Sequence, residues 1–250
     1  MAHPAGETPL RNHDVDWDTW PVEEYLTENY REVHPADLAV IDHHSRYYRQ
    51  FPADTFERSV EFGAGPNLYP LMLAAGVSRH IHAIEPSANS VAYLRQQLRD
   101  VPEASWAAFY QACRERLPTL PEDPRDALSR VTVAQVRAQD VDPGAYDLGS
   151  MHFVAESVTE DRDEFEALCG LFVRSVRPEA PVVAAFMENM GRYGLGDGSR
   201  WPGYPVDADK VAAAFDGITT ELHIDRIDAD ETLPDYGYTG MVLLTARRAA

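Results

Sequence analysis

Apolar positions along the chain follow two different spacings. From residue 22 to residue 50 they recur every three or four residues, and His34-Pro35 interrupts the pattern, which predicts two helices. Short apolar runs then alternate with further stretches of helical spacing. The runs predict strands at residues 59–62, 80–84, 131–138, 146–151, 181–187, 221–227 and 239–246. The stretches between them predict helices at residues 67–75, 87–99, 160–176 and 207–214.

This alternation indicates an α/β fold with a mostly parallel sheet that is covered on both faces. The last two strands have no clear helix between them, so the final strand, at residues 239–246, is expected to run in reverse. Residues 1–20 are rich in Pro, Asp, His and Gly and are expected to be flexible. Residues 21–250 are expected to form one domain, with an N-terminal helical part at 21–55 and a Pro- and charge-rich insertion with two short helices at 101–130.

The composition narrows the classes of partner. Acidic side chains number 41 against 22 basic ones, and the formal charge of −19 would repel the phosphates of nucleic acid. Two cysteines in 250 residues give no disulfide framework. No apolar run has the length of a signal sequence or a membrane span. A cytoplasmic protein with a small-molecule partner, and with neither nucleic acid nor membrane, is therefore expected.

The strongest local motif is Glu61-Phe62-Gly63-Ala64-Gly65-Pro66-Asn67, which joins the first predicted strand of the sheet to a helix. Such a turn needs glycine where φ is unusual or where a ligand approaches the backbone. Glu85 ends the next strand, where a carboxylate can accept hydrogen bonds from the two hydroxyls of a ribose. This layout suits either a dinucleotide or S-adenosylmethionine.

Three positions favour S-adenosylmethionine. A dinucleotide site needs a third glycine where this chain has Leu68, which disfavours a nicotinamide-dependent oxidoreductase. Glu61 can organise the loop that faces the ammonium of a methionine moiety. Asp140, at the end of the third predicted strand, can accept a hydrogen bond from an adenine amino group.

Five segments, in order along the chain, resemble one enzyme family. They are residues 24–30 (EYLTENY), 63–69 (GAGPNLY), 85–89 (EPSAN), 139–141 (QDV) and 153–158 (FVAESV). They are similar to segments of the nicotinamide, phenylethanolamine and thioether/indolethylamine N-methyltransferases. The resemblance implies a class I methyltransferase: a Rossmann-like seven-stranded sheet with a reversed last strand and an N-terminal helical cover. It also implies S-adenosyl-L-methionine as cofactor and S-adenosyl-L-homocysteine as product.

The motif chemistry and the resemblance together predict the cofactor-binding positions. These are Tyr25, Tyr30, Glu61, Gly63, Gly65, Pro66, Tyr69, Glu85, Pro86, Asn89, Asp140 and Val141. Two departures from the family pattern bear on them. Pro86 stands where family members have a tyrosine, and residues 177–180 are RPEA where the family has KPGG. These departures do not change the predicted cofactor, but they leave the identity of the acceptor substrate open.

Methyl transfer is an in-line displacement from a sulfonium, and it requires neither a metal nor a covalent intermediate. The histidines show no metal-ligand spacing. Two residues at the end of the fourth strand are candidates for catalysis: Glu156, to hold an ammonium or accept its proton, and His152, as a further proton acceptor. Glu188, Tyr193 and Trp201 are the candidates for contact with the substrate.

Three functions remain in competition at this point. The first is N-methylation of a small amine or nitrogen heterocycle. The second is transfer or cyclisation of the aminocarboxypropyl group of the same cofactor, which would leave methylthioadenosine instead of S-adenosylhomocysteine. The third is a nucleotide-binding module without turnover. The sequence leaves the acceptor and the oligomeric state open.

Overall fold

The predicted alternation of strands and helices is present in the computed structural model, which describes residues 9–100, 102–196, 198–233 and 235–250. The helices are α1 Val22–Asn29, α2 Pro35–Tyr48, α3 Tyr69–Ala75, α4 Ala88–Arg99, α5 Ala104–Arg116, α6 Pro124–Leu128, α7 Arg162–Ser175 and α8 Ala208–Phe215. The strands are β1 Phe56–Phe62, β2 Ser78–Glu85, β3 Val131–Gln135, β4 Leu148–His152, β5 Pro181–Glu188, β6 Tyr193–Gly194, β7 Arg200–Trp201, β8 Thr219–Asp228 and β9 Gly240–Arg248.

Seven of the strands form one sheet in the order β3-β2-β1-β4-β5-β9-β8. The first five strands of that order are parallel, whereas β9 is antiparallel to both β5 and β8. The short strands β6 and β7 pair separately, as an antiparallel ladder in the loop after β5. The seven-stranded class I methyltransferase fold with a reversed last strand is thereby confirmed.

Burial on both faces explains why the central strands lack polar alternation. All eight residues of β5 are buried. Val183 and Ala185 belong to the apolar cluster on one face of the sheet, and Val182 and Ala184 belong to the cluster on the other. Successive side chains of a strand point to opposite faces, so a strand covered on both sides is apolar along its length, and in β5 only the terminal Glu188 is charged.

The insertion is part of this packing. α5 packs against α2 and α3, and its Trp106 and Phe109 are fully buried. The ring of Tyr30, at the end of α1, stacks on Trp106 with 5.5 Å between centroids. The insertion therefore supports the N-terminal helices over one face of the sheet, a role that its Pro- and charge-rich sequence does not reveal.

Residues 9–20, here called the strap, form two short 3₁₀ turns that cross from α7 to α4. The backbone N–H groups of Leu10 and Asn12 donate to Glu160 (3.0 Å) and Glu164 (2.9 Å), and Asp18 accepts from the N–H of Ala88 at 2.6 Å. Residues 1–20 were predicted to be flexible. From residue 9 onward this segment is hydrogen-bonded to the rest of the protein, and residues 1–8 lie outside the described part. Within the described ranges, no helix is both long enough and apolar enough to span a membrane.

Candidate active site

A cavity of about 750 Å³ opens at the carboxyl ends of β1, β2, β4 and β5, the edge where parallel α/β sheets place their ligands. Its volume is that of a pocket for a drug-sized ligand. One part, the glycine-loop end, is lined by residues 63–67, 84–87 and 136–139. The other part, the methionine end, is lined by Trp20, Tyr25, Asn29, Asp37, Met187, Met190, Tyr193, Leu195, Leu233, Tyr236 and Met241.

The turn after β1 requires both of its glycines. Gly63 and Gly65 have φ of 71° and 53°, in the left-handed region that side chains disfavour. A Cβ on Gly63 would lie 2.6 Å from Cγ1 of Val154, whereas a Cβ on Gly65 would meet nothing within 4 Å. Gly63 therefore fits against the protein, and Gly65 exposes its backbone to the cavity.

Glu85 closes the glycine-loop end. Its Oε2 accepts a hydrogen bond from the N–H of Gly65, and its Oε1 accepts one from the N–H of Ser87, each at 2.9 Å. Burial raises the pKa of Glu85 to about 7, against the lowering effect of these two bonds. Each carboxylate oxygen has a further lone pair, so Glu85 can also receive the hydroxyls of a ligand in the cavity.

Glu61 lies beneath the cavity and does not line it. Its Oε1 is 2.9 Å from Nδ1 of His152, and its Oε2 accepts from the hydroxyl of Ser150. Nε2 of His152 is in turn 3.0 Å from Nδ1 of the fully buried His44. His152 does line the cavity, but both its ring nitrogens have protein partners, so the ring presents its carbon edge to a ligand.

The predicted tyrosine pair comes together at the end of α1. The hydroxyls of Tyr25 and Tyr30 are 3.2 Å apart, and Nδ2 of Asn67 in the glycine turn donates to the hydroxyl of Tyr30 at 3.0 Å. Both tyrosines line the cavity, because α1 ends between them. Tyr69, the third predicted tyrosine, is fully buried against Phe109 and does not line it.

At the glycine-loop end, three predicted cofactor residues have other partners. The carboxylate of Asp140 forms an ion pair with Arg137 at 2.8 Å, and Val141 packs against the apolar cluster on the α7 side of the sheet. Asn89 donates its side-chain amide to the carbonyl of Asp18 in the strap. The adenine contact predicted for Asp140 is thus displaced, because the neighbouring Ala138 and Gln139 line the cavity in its place.

Of the three predicted substrate residues, one lines the cavity and two do not. Tyr193 lines the methionine end, and its hydroxyl accepts from Nε1 of Trp20 at 3.3 Å. Trp201 lies outside the cavity and stacks on Trp17 with 5.6 Å between centroids. Glu188 also lies outside, since its carboxylate binds Arg226 at 2.8 Å, a contact that lowers the pKa of Glu188.

Glu156, the predicted acid–base residue, is fully buried below the methionine end and does not line the cavity. Its Oε1 accepts from the N–H of Met187 at 2.8 Å, and no hydrogen bond of ordinary length reaches its Oε2. Burial raises the pKa of Glu156 to about 8. Burial therefore favours the protonated form of Glu156, and because the residue does not line the cavity its role in catalysis stays a prediction.

Asp37 is a lining residue that sequence reasoning missed. It lies in the first turn of α2 with 7% of its surface exposed, and its Oδ2 accepts from the N–H of His34 at 3.0 Å. An acid in the first turn of a helix is ordinarily a capping residue, and Asp37 does serve as one. Only the packing of α2 over the sheet shows that this cap also faces a cavity.

The comparisons with known proteins are consistent with this fold. No protein-family model matches the sequence, and no curated protein matches it. Solved structures do match. The N-methyltransferase NodS from Bradyrhizobium japonicum WM9, in complex with S-adenosyl-L-homocysteine, is 12% identical, with a TM-score of 0.59 over 94% of this chain and 100% of that one.

Two further structures extend the comparison. A SAM-dependent methyltransferase from Methanosarcina mazei is 10% identical, with a TM-score of 0.58 over 87% of this chain and 99% of that one. The [4+2]-cyclase SpnF is 13% identical, with a TM-score of 0.62 over 98% of this chain and 100% of that one. These identities establish the fold alone, and the proteins are named for two different reactions, so the reaction must be argued from the cavity.

Proposed function

We propose that the protein is an S-adenosylmethionine-dependent methyltransferase that acts on a small molecule, and that the methylated atom is nitrogen. One observation carries the proposal: the glycine turn and Glu85 meet at one end of a cavity that continues, without a wall, into an apolar methionine end. A cofactor held at the first end would face an acceptor held at the second. NodS, which was solved in complex with S-adenosyl-L-homocysteine, shares this fold.

The residues of the glycine-loop end fit this cofactor. Gly65 leaves its backbone uncovered toward the cavity, and the lone pairs of Glu85 suit the two hydroxyls of a ribose. Tyr25 and Tyr30 would border the methionine part, and Ala138 with Gln139 would border the adenine. Glu61 would act from beneath by holding the end of β4 through Ser150 and His152.

When bound, this cofactor supplies a methyl group made electrophilic by the sulfonium. The chain's own contribution is to position the acceptor and to exclude water, which favours a reaction that removes charge from sulfur. The strap and the aromatic rings of the methionine end cover the cavity for this purpose. His152 contributes by position, because its nitrogens are already engaged.

The first test is calorimetry with S-adenosylmethionine. Glu85→Ala removes two charge-assisted hydrogen bonds to the ribose, so affinity should fall by roughly 1–3 kcal/mol. Glu57→Ala is the matched control: it removes an exposed carboxylate that pairs with Arg79, neither residue lines the cavity, and affinity should stay within about twofold. Equal effects of the two substitutions would contradict the placement of the cofactor.

A second reaction of the same cofactor is kept as the alternative, because the glycine turn and Glu85 would hold the cofactor equally for either reaction. Transfer or cyclisation of the aminocarboxypropyl group would release methylthioadenosine, whereas methyl transfer releases S-adenosylhomocysteine. Mass spectrometry of the nucleoside product, across a panel of amines, separates the two. A cofactor that binds and is never consumed would instead support a binding module.

A further inference from the structure

The methionine end contains one carboxylate and no basic side chain among the described residues that line it. Its residues are otherwise aromatic, apolar or amide. The carboxylate is that of Asp37, which is 93% buried and whose second oxygen, Oδ1, receives no hydrogen bond from the described residues. A buried carboxylate without a cationic partner is costly, so the site favours a ligand that brings the positive charge.

Four aromatic rings line the same end and contact one another. The ring centroids of Trp20 and Tyr25 are 4.5 Å apart, Nε1 of Trp20 donates to Tyr193, and Tyr193 contacts Tyr236 edge to face at 6.2 Å. The polar atoms of these rings already have protein partners: Tyr25 pairs with Tyr30, and Tyr236 donates to Glu28. What the rings offer a ligand is therefore their faces and edges, and aromatic faces attract cations.

From this arrangement we infer that Asp37 is the residue that recognises the acceptor, by receiving the N–H of an alkylammonium whose apolar part lies against Met187, Met190 and Met241. The inference deepens the proposed function and rests on it for the reaction, though not for the binding of the amine. A second carboxylate lies beside the N-terminus of α2. Asp230 accepts from the N–H of Ala36 at 2.8 Å and adds negative charge next to Asp37, which also favours a cationic ligand.

Asp37 would then also receive the proton that methylation of an amine releases. The bound ammonium gives one proton to Oδ1, and the freed lone pair attacks the methyl carbon. The nitrogen–carbon bond forms as the carbon–sulfur bond breaks, with the electron pair of that bond left on sulfur. The product leaves as an ammonium that keeps its remaining protons, two in the case of a primary amine, and Asp37 returns its proton to water. Burial raises the pKa of Asp37 to about 7, which suits this exchange at neutral pH.

The test compares benzylamine with benzyl alcohol, and hexylamine with hexanol, as ligands of the wild-type protein. Binding is measured at pH 7.5 by calorimetry, with and without S-adenosylhomocysteine. We expect each amine to bind at least about tenfold tighter than its alcohol. Asp37→Asn keeps an oxygen for the N–H of His34 but removes the charge, so the ratio should fall to near one.

Asp42→Asn is the matched control, because it removes a carboxylate from the same helix, where it pairs with Arg46, without touching the cavity. It should keep the wild-type ratio. Equal binding of amine and alcohol to the wild type, or a ratio that survives in Asp37→Asn, would overturn the inference. Affinity for S-adenosylmethionine and the thermal midpoint of each variant report folding separately. Amine preference without cofactor binding would sink the proposed function and keep the inference.

Discussion

The two ends of the cavity differ in the groups that form them: backbone groups at one end and side chains at the other. The glycine-loop end is made of backbone: two glycines with positive φ, their N–H groups and one carboxylate held by such groups. The methionine end is made of side chains that come from the strap, α1, α2 and the loops flanking β5 and β9. The first end should therefore respond to changes of backbone shape, and the second to changes of charge and packing.

The largest expected effect is at the methionine end, where Glu156 lies below Met187. Its pKa of about 8 exceeds that of an exposed glutamate, so the folded state binds more protons than the unfolded state at intermediate pH. The free energy of unfolding should then fall as pH rises from about 4.5 to about 8, by at most about 1.4 kcal/mol per unit. Glu156→Gln should remove this loss, as urea unfolding at pH 5, 7 and 8.5 would show.

Glu188→Gln is the comparison for that experiment, because Glu188 is the neighbouring buried acid with the opposite shift. Its hydrogen bond to Arg226 lowers its pKa, so its carboxylate stabilises the protein above about pH 4.5 and that stability is lost as pH falls. Glu188→Gln should therefore destabilise the protein at pH 7. If both variants shift stability in the same direction, Glu156 does not carry the buried proton argued for it.

The second effect belongs to the glycine-loop end. Gly63→Ala combines a left-handed φ with a Cβ 2.6 Å from Val154, so affinity for S-adenosylmethionine should fall by roughly 2–3 kcal/mol. Gly63→Ala with Val154→Ala removes the clash and keeps the backbone strain, and it should recover part of the loss. Gly191→Ala, where a Cβ meets nothing within 4 Å, should leave affinity unchanged.

The difference between the two ends also decides what the sequence could predict. The turn at Gly63 and Gly65, with Glu85 at the next strand end, is a local pattern whose backbone geometry follows from residue type. The alternation of elements predicts a mostly parallel sheet with a reversed last strand, and the resemblance to the methyltransferases implied the order of its seven strands. The turn depends on residues near each other in sequence, whereas the pairing of β1 with β4 and of β5 with β9 does not.

The direction in which a side chain points was harder to predict from the sequence. Asp140 and Glu188 follow or end strands, as a site residue should, but their carboxylates bind Arg137 and Arg226 and do not line the cavity. Asp37 has the position of a helix cap, and only tertiary packing turns it toward the cavity. Arg226 lies 38 residues from Glu188, and no local pattern specifies that pair or the packing of Asp37.

The third expected effect is a dependence of cofactor affinity on pH, which arises from Glu85 at the glycine-loop end. Burial raises the pKa of Glu85 to about 7, and its ionised form is the one that accepts two hydroxyl hydrogen bonds. Affinity for S-adenosylmethionine should therefore fall as pH drops below 7, by up to about tenfold per unit. Glu85→Gln should bind more weakly at pH 8 and show a flatter profile. A wild-type affinity that is constant from pH 5.5 to 8 would remove Glu85 from the ribose.

The smallest effect concerns the link between the two ends, which runs from Tyr25 through Tyr30 to Asn67. Tyr30→Phe breaks two hydrogen bonds and leaves the buried amide of Asn67 without an acceptor, whereas Tyr25→Phe breaks only the bond between the two hydroxyls. An unsatisfied buried donor costs about 1–3 kcal/mol, and a single lost hydrogen bond costs about 1 kcal/mol or less. Tyr30→Phe should therefore lower the thermal midpoint more than Tyr25→Phe does.

Tyr30→Phe should also weaken cofactor binding more than Tyr25→Phe does, because Asn67 belongs to the glycine turn and its Oδ1 accepts from the N–H of Tyr69. The reverse order of the two variants, in both measurements, would mean that α1 covers the cavity without being coupled to the turn.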